Sequence, residues 1–348
     1  HTWPIGVDAA TFLRDAAFSL PYTRGYTATG FFVSPYAKHL IGDDAQMTFG
    51  FHLAGAAGSD GFHSWKPLVR LEYEPFEDVR LVMGSLYGGL SHMLFEPMFD
   101  RERYIYDHYE EGVQLLLSRW LGGTICITSD TWLHWEELLE PWQPAQERFA
   151  LGSSNQLELC SRYYGTHRAL RLSLPFSFLR THRGGQFSTL DTCIQSLFNE
   201  NAGLRLAITL GPRSALAIDV PFFFYQDISP EKHQAYGNGW GFWPQASCDI
   251  DFGKGQHDGC RGSWRLLAQA GYWHGHQFIA PRGSYHFQSV SWHRADFAAP
   301  ERDMLTARMA LENCYSRSFS LGLNAEFYYD LLVPGLDFAF GLTMRYRR

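Results

Sequence analysis

Apolar and polar residues alternate with a period of two along most of this chain, and the closing stretch shows it plainly. In LDFAFGLTMRYRR, residues 336–348, Leu336, Phe338, Phe340, Leu342, Met344 and Tyr346 fall on one side. Asp337, Ala339, Gly341, Thr343, Arg345 and Arg347 fall on the other. Successive side chains of a strand point to opposite faces, so the pattern predicts a strand with one apolar and one mixed polar face. The same alternation runs through 318–329, 305–312, 170–178 and 148–163, and through 45–53, 69–74, 122–136, 204–210, 216–222 and 264–272. Helical spacing is scarce. Its best stretch is DAATFLRDAAF, 8–18, which predicts a short periplasmic or plug helix within an N-terminal segment, 1–25. From 26 to 348 the strand pattern continues without a linker, as one β-domain.

Alternation alone does not say which face meets solvent, because soluble sandwiches alternate too. Three features turn the apolar face outward, toward lipid. Stretches such as 148–163 exceed the five or six residues usual for a soluble strand and suit a tilted membrane strand. The polar face mixes Gly, Ala, Ser and Thr with single charges and almost no Lys, which suits a crowded lumen better than a soluble exterior. Aromatics gather near strand ends, at Tyr328, Tyr329, Tyr346, Tyr163, Tyr164, Trp273, Trp132 and Trp135, where interfacial girdles fall. Hydrocarbon offers no hydrogen-bond partners, so a sheet inside it must close on itself. The expected fold is therefore all-β: a transmembrane antiparallel up-and-down barrel of roughly 14–16 strands. With short connections at 74–78, 164–167, 211–213 and 315–317 all on one side, the odd–even strand order does not close. Either one strand is missing from the assignment, with 187–198 as a candidate, or one is split wrongly.

Composition narrows the picture further. Aromatics reach 16% and glycines number 33, while the net charge of -7 and the lack of a basic tract exclude a nucleic-acid partner. The chain begins with His rather than Met, which predicts an exported protein whose signal peptide has been removed. Six cysteines form no CxxC pair, so a structural zinc site is not expected; Cys248 and Cys260 flank a Gly-rich stretch that a disulfide would close.

Several motifs resemble those of outer-membrane β-barrel proteins of Bacteroidota. They are GSLYGGL (84–90), SHMLFEP (91–97), EEGVQLL (110–116), TWLHWEE (131–137), QERFALG (146–152) and HRGGQ (182–186), all in the first part of the chain. The resemblance implies a porin-like barrel in a Gram-negative outer membrane and carries no catalytic residues.

Candidate chemistry follows from the predicted inner face. Asp130, Trp132, His134, Glu136, Arg171, Arg205, Asp219, Arg265, Arg308, Glu312, Glu326, Asp337 and Arg345 are expected to line the lumen and contact solute. Opposed acids and bases across a pore would select small polar solutes by charge and size; alternatively they pair with each other and fill a closed lumen. In WLHWEE, Trp132, His134 and Glu136 share one face, suited to sugar stacking or to interior packing. In YWHGHQ, 272–277, His274 and His276 share a strand face but have no carboxylate near them in sequence, a weak metal edge. Arg183 in HRGGQ would hold an anion or turn a corner. No GxSxG motif accompanies any of these, and a non-enzymatic, porin-like channel without cofactor or metal is the expectation. An accessory barrel with a blocked lumen, part of a larger assembly, is the second expectation. Outer-membrane lipid, lipopolysaccharide and other outer-membrane or periplasmic proteins are the expected partners.

Overall fold

The computed structural model describes residues 3–58, 64–103, 109–122, 124–138, 146–164, 168–185, 193–211, 213–252 and 263–348. Its strands are β1 (Ile5–Ala17), β2 (Tyr26–Ile41), β3 (Ala45–Ala56), β4 (Ser64–Phe76), β5 (Val79–Ser85), β6 (Glu111–Leu121), β7 (Ile125–Glu137), β8 (Arg148–Tyr164) and β9 (Arg168–Arg183). There follow β10 (Gln195–Gly211), β11 (Ser214–Asp227), β12 (Asn238–Phe242), β13 (Gln245–Asp251), β14 (Ser263–His276), β15 (Glu301–Ser316), β16 (Phe319–Asp330) and β17 (Gly335–Arg347). All pair antiparallel in one sheet, and β1 pairs with both β2 and β17, so the sheet closes.

β12 and β13 both pair with β11 and β14 and share one position, giving a closed barrel of 16 strands. They are split at Trp243–Pro244. Proline has no N–H for the ladder, and the Trp243 side chain turns inward, where its indole donates to Thr306 Oγ1 at 3.1 Å.

The expected N-terminal helix is corrected. Residues 5–17 form β1, the strand that closes the barrel, so 1–25 is not a separate segment. Alanine-rich composition favours helix locally. The ladder with β17, from Asp8↔Arg347 to Ala17↔Phe338, overrides it. β1 is also the strand whose omission left the odd–even order open, while part of 187–198 opens β10.

With β1 in place, connections such as 42–44, 77–78 and 317–318 lie at one end, and the long ones, 86–110 and 277–300, lie at the other. Short turns are periplasmic and long loops extracellular in such barrels. Large apolar side chains are solvent-accessible outside the wall, among them Ile218 (54%), Phe340 (46%) and Leu323 (44%). In a soluble protein such a surface would be an aggregation hazard; here it is the lipid-facing band.

The described residues of the two long loops fold back into the lumen. Leu86, Met98, Phe278, Ile279 and Phe287 pack there against Trp132, Phe223, Trp273 and Met304 of the wall. Trp132, Trp273 and Tyr328, expected in the interfacial girdle, belong instead to this inner core, whereas Trp135, Tyr329 and Tyr346 stay on the outside. Arg302 of β15, without solvent exposure, anchors the plug by donating to the Gln288 carbonyl; it also pairs with Asp330 at 3.0 Å and lies 3.2 Å from the Tyr22 ring centroid. The described residues leave out Cys260, so the Cys248–Cys260 pairing lies outside them.

Candidate active site

The inner wall carries the expected charged residues, and what they touch is mostly one another. Asp130, Trp132, His134 and Glu136 occupy successive inward positions of β7. Loop 86–110 brings His92 onto Trp132, with ring centroids 3.6 Å apart. His92 Nδ1 meets Asp130 Oδ2 at 2.8 Å and its Nε2 meets Glu110 Oε2 at 3.1 Å. Arg282, from the other plug loop, donates to His134 Nδ1 at 2.9 Å, to Glu110 at 3.3 Å and to Glu136. Gln114 donates to Asp130 Oδ1 at 2.8 Å. Carboxylates only accept, so a histidine between two of them is held as imidazolium. Burial opposes that charge most, yet the Asp130 and Glu110 hydrogen bonds prevail and the His92 pKa is raised. Burial likewise pushes Glu110 up, but His92 and Arg282 hold it down at about 2. This network is a clamp between plug and wall.

The remaining expected residues also lie on the inner side. Arg205 pairs with Asp219 at 3.0 Å, Arg308 with Glu326 at 3.2 Å, and Arg345 with Asp8 at 2.6 Å. Arg265 donates to Asp249 at 2.8 Å and stands opposite Glu312 in the ladder. Glu326 also receives Arg14 at 2.8 Å. Asp337 accepts the backbone N–H groups of Ser19 at 2.5 Å and Leu20 at 3.0 Å. Arg171 stands opposite Ala207 on the inward register. Arg183, from HRGGQ, turns to Gln146 Oε1 at 2.6 Å.

A second polar cluster faces the other way. On β14, Trp273 and Gly275 point inward and are buried, so Tyr272, His274 and His276 point out of the barrel at its long-loop end. β15 supplies their partners through the ladder pairs His274↔Asp303 and His276↔Glu301. His274 Nδ1 lies 2.6 Å from Asp303 Oδ1, and the same oxygen accepts the Tyr272 hydroxyl at 2.5 Å. His276 Nδ1 lies 2.5 Å from Glu301 Oε1. Because each carboxylate only accepts, Nδ1 donates in both rings and each Nε2 is left as the proton-accepting atom. Trp240 of β12 covers the pair, its ring centroid 5.2 Å from that of His274 and 6.1 Å from that of His276.

The surrounding wall is aromatic. The row His276↔Trp240↔Phe224↔Glu200↔Phe178 runs from β14 to β9, and beneath it runs His274↔Phe242↔Phe222↔Ala202↔Phe176. One step nearer the long loops, Gln226 stands opposite Phe198, and Phe198 opposite Arg180. Arg180 points out of the wall with no ion-pair partner among the described residues. Ionisable groups on a lipid face cost up to about 2–4 kcal/mol at mid-bilayer and least at the interface, and this cluster lies toward the interface.

The sequence flagged His274 and His276 but not their acids, because Asp303 and Glu301 come from 29 and 25 residues away and meet them only through strand pairing. Tyr272 opens the flagged YWHGHQ stretch, which assigns it no role, and Trp240 and Arg180 lie outside every flagged stretch.

Among solved structures, the barrel is similar to a loop-deletion mutant of OmpT, an outer membrane protein of Vibrio cholerae, at TM-score 0.52 and 10% identity, covering 100% of this chain and 99% of that one. It is also similar to the outer membrane protein OprD from Pseudomonas aeruginosa, at TM-score 0.51 and 11% identity, covering 99% and 92%. A bacterial polysaccharide outer membrane secretin matches at TM-score 0.52 and 11% identity, covering 99% and 98%. At such identities the likeness is one of fold, that of an outer-membrane β-barrel. No curated protein matches the chain in sequence. The family model described as "Lipid A 3'-O-deacylase-type" matches residues 1–348. That is a family of enzymes, and the match corrects the expectation of a non-enzymatic barrel.

Proposed function

Since the chain belongs to the lipid A 3'-O-deacylase-type family, we propose that it hydrolyses an acyl ester of a lipid A-type glycolipid on the outer surface of its barrel wall. The observation that carries the reading is the His274–Asp303 pair, held by Tyr272 and aimed at lipid from the extracellular end of the wall. Lipid A lies in the outer leaflet, so its ester bonds reach the wall sideways, without entering the lumen.

In this reading water is the nucleophile. His274 Nε2 takes a proton from it as its oxygen attacks the acyl carbonyl, and Asp303 stabilises the imidazolium that forms. The ester C–O bond then breaks, and the sugar oxygen leaves with a proton returned by the imidazolium. Tyr272 keeps the Asp303 carboxylate in place and is a positioning residue. His276–Glu301 lies beside the reacting ester as a second acid–base pair. Phe222, Phe224 and Phe242 present apolar surface for acyl chains. Arg180, at headgroup level, offers a planar donor set that fits phosphate.

The test is mass spectrometry of lipid A after incubating lipopolysaccharide with the detergent-purified protein. Loss of one ester-linked acyl chain with the native protein, and none with His274→Ala, is the expected result. Equal release by both proteins would remove His274 from the chemistry, and no release by a folded native protein would remove the reading.

A second reading, porin-like passage of small polar solutes, is favoured by the half-exposed cations of the inner wall, Arg205 (41%) and Arg265 (51%). Planar-bilayer conductance tests it: discrete ohmic steps support passage, and silence from folded protein rejects it.

A further inference from the structure

At the extracellular rim, two loops bring three metal-ligating side chains together. Cys193 precedes β10, and Glu231 and His233 lie between β11 and β12. Cys193 Sγ is 3.3 Å from Glu231 Oε2, and His233 Nε2 is 3.5 Å from the same oxygen. One ligand atom from each lies within 4.8 Å of the other two. Zinc bonds of about 2.3 Å to sulfur and 2.0–2.2 Å to nitrogen and oxygen place tetrahedral neighbours roughly 3.3–3.7 Å apart. The two measured separations therefore already match the edges of such a site.

The connection 228–237 is fastened to the start of β10, two residues beyond Cys193. Ser196 N–H donates to Ser229 Oγ at 2.8 Å, Ser229 Oγ donates back to Ser196 O at 3.3 Å, and Ile228 N–H donates to Ser196 O at 2.9 Å. Asp227 Oδ1 accepts Ser229 N–H at 2.9 Å. The nearby cation, Lys232, is occupied by the carbonyls of Asp227 and Ser229. The frame is built without the three ligating side chains, which stay exposed at its edge. A preformed frame lowers the ordering cost of binding.

We propose that Cys193, Glu231 and His233 bind a thiophilic divalent cation of the zinc(II) class, with water in the fourth position. A thiolate and a carboxylate supply two negative charges to a dication, and the mixed S, N, O set favours zinc over magnesium or calcium. The ion would clip the loop that leads into Trp240 onto the start of β10. This site is separate from the His274–Asp303 cluster and does not depend on the chemistry assigned there.

The experiment uses the whole chain, purified in detergent, stripped of metal and titrated with cobalt(II). The native protein should develop a near-ultraviolet thiolate-to-cobalt absorption that saturates at one ion per chain and is displaced by zinc. Cys193→Ser should abolish the band, and His233→Ala and Glu231→Gln should each weaken binding at least tenfold. All three lie on exposed loops, so heat-modifiable gel migration should be unchanged and confirm folding. Absence of the band in native protein, or equal zinc retention by native protein and Cys193→Ser, would overturn the site.

Discussion

His134 and His274 stand on the same barrel, near the same end, each beside carboxylates, and they face opposite ways. His134 looks into the lumen, is buried, and receives Arg282 next to Glu110. His274 looks outward, with its side chain 36% accessible, and Asp303 engages only one of its ring nitrogens. Identical chemistry is thus spent differently. In the lumen His92, Glu110, Asp130, His134, Glu136 and Arg282 turn to one another, which fixes the plug against β7. On the wall one imidazole nitrogen per pair stays open, in a place where lipid would otherwise select an apolar residue.

The largest expected effect breaks the outer half of this comparison. His274→Ala or Asp303→Asn should lower acyl-ester release about 100-fold or more, the usual range for losing a general base or the group that orients it. His134→Gln should leave release per folded molecule unchanged. Equal losses on both sides would erase the distinction between the two histidines.

Next comes the inner half. Arg282→Ala would remove the guanidinium that joins Glu110, His134 and Glu136, and breaking a buried charge pair costs about 3–5 kcal/mol. Heat-modifiable gel migration should then convert at a clearly lower temperature, whereas His276→Ala should leave the conversion temperature near native.

A smaller effect should appear with pH. The folded-state pKa of His92 is raised, so its stabilisation is present below its unfolded value and is lost as pH rises through the folded one. Burial and the Glu102 charge raise Asp100, in the same plug loop, to about 7, so the fold gains stability as pH falls through that value. Glu110, held at about 2, contributes stability above its unfolded pKa that is lost in strong acid. Thermal stability should thus decline from mildly acidic to alkaline pH, and Asp100→Asn should flatten the slope near neutrality. A flat profile in the native protein would remove the plug from the titration.

The smallest effect sharpens the wall. Arg180→Gln should raise KM several-fold for phosphorylated lipid A with kcat little changed, and should not affect a dephosphorylated analogue. Equal changes for both substrates would make Arg180 a packing residue.

By itself the sequence determined which strand face meets lipid. Period-two patterning is a local property, and 336–348 carries its orientation in its own composition: Leu336, Phe340 and Met344 are outside, and Asp337 and Ala339 inside. It determined the inward set from Asp130 to Arg345 for the same reason. It misassigned β1, because Asp8, Phe12, Arg14 and Ala16 face a crowded lumen while Ala9 and Thr11 face outward, so the polarity contrast is faint. Only the tertiary structure decided what those residues do. Closure placed β15 beside β14 and gave the two histidines their acids. The return of the described parts of loops 86–110 and 277–300 packed a plug against the long-loop end of the charged inner wall. Both depend on contacts between residues far apart in the chain, and alternation within a strand carries no information about its neighbour.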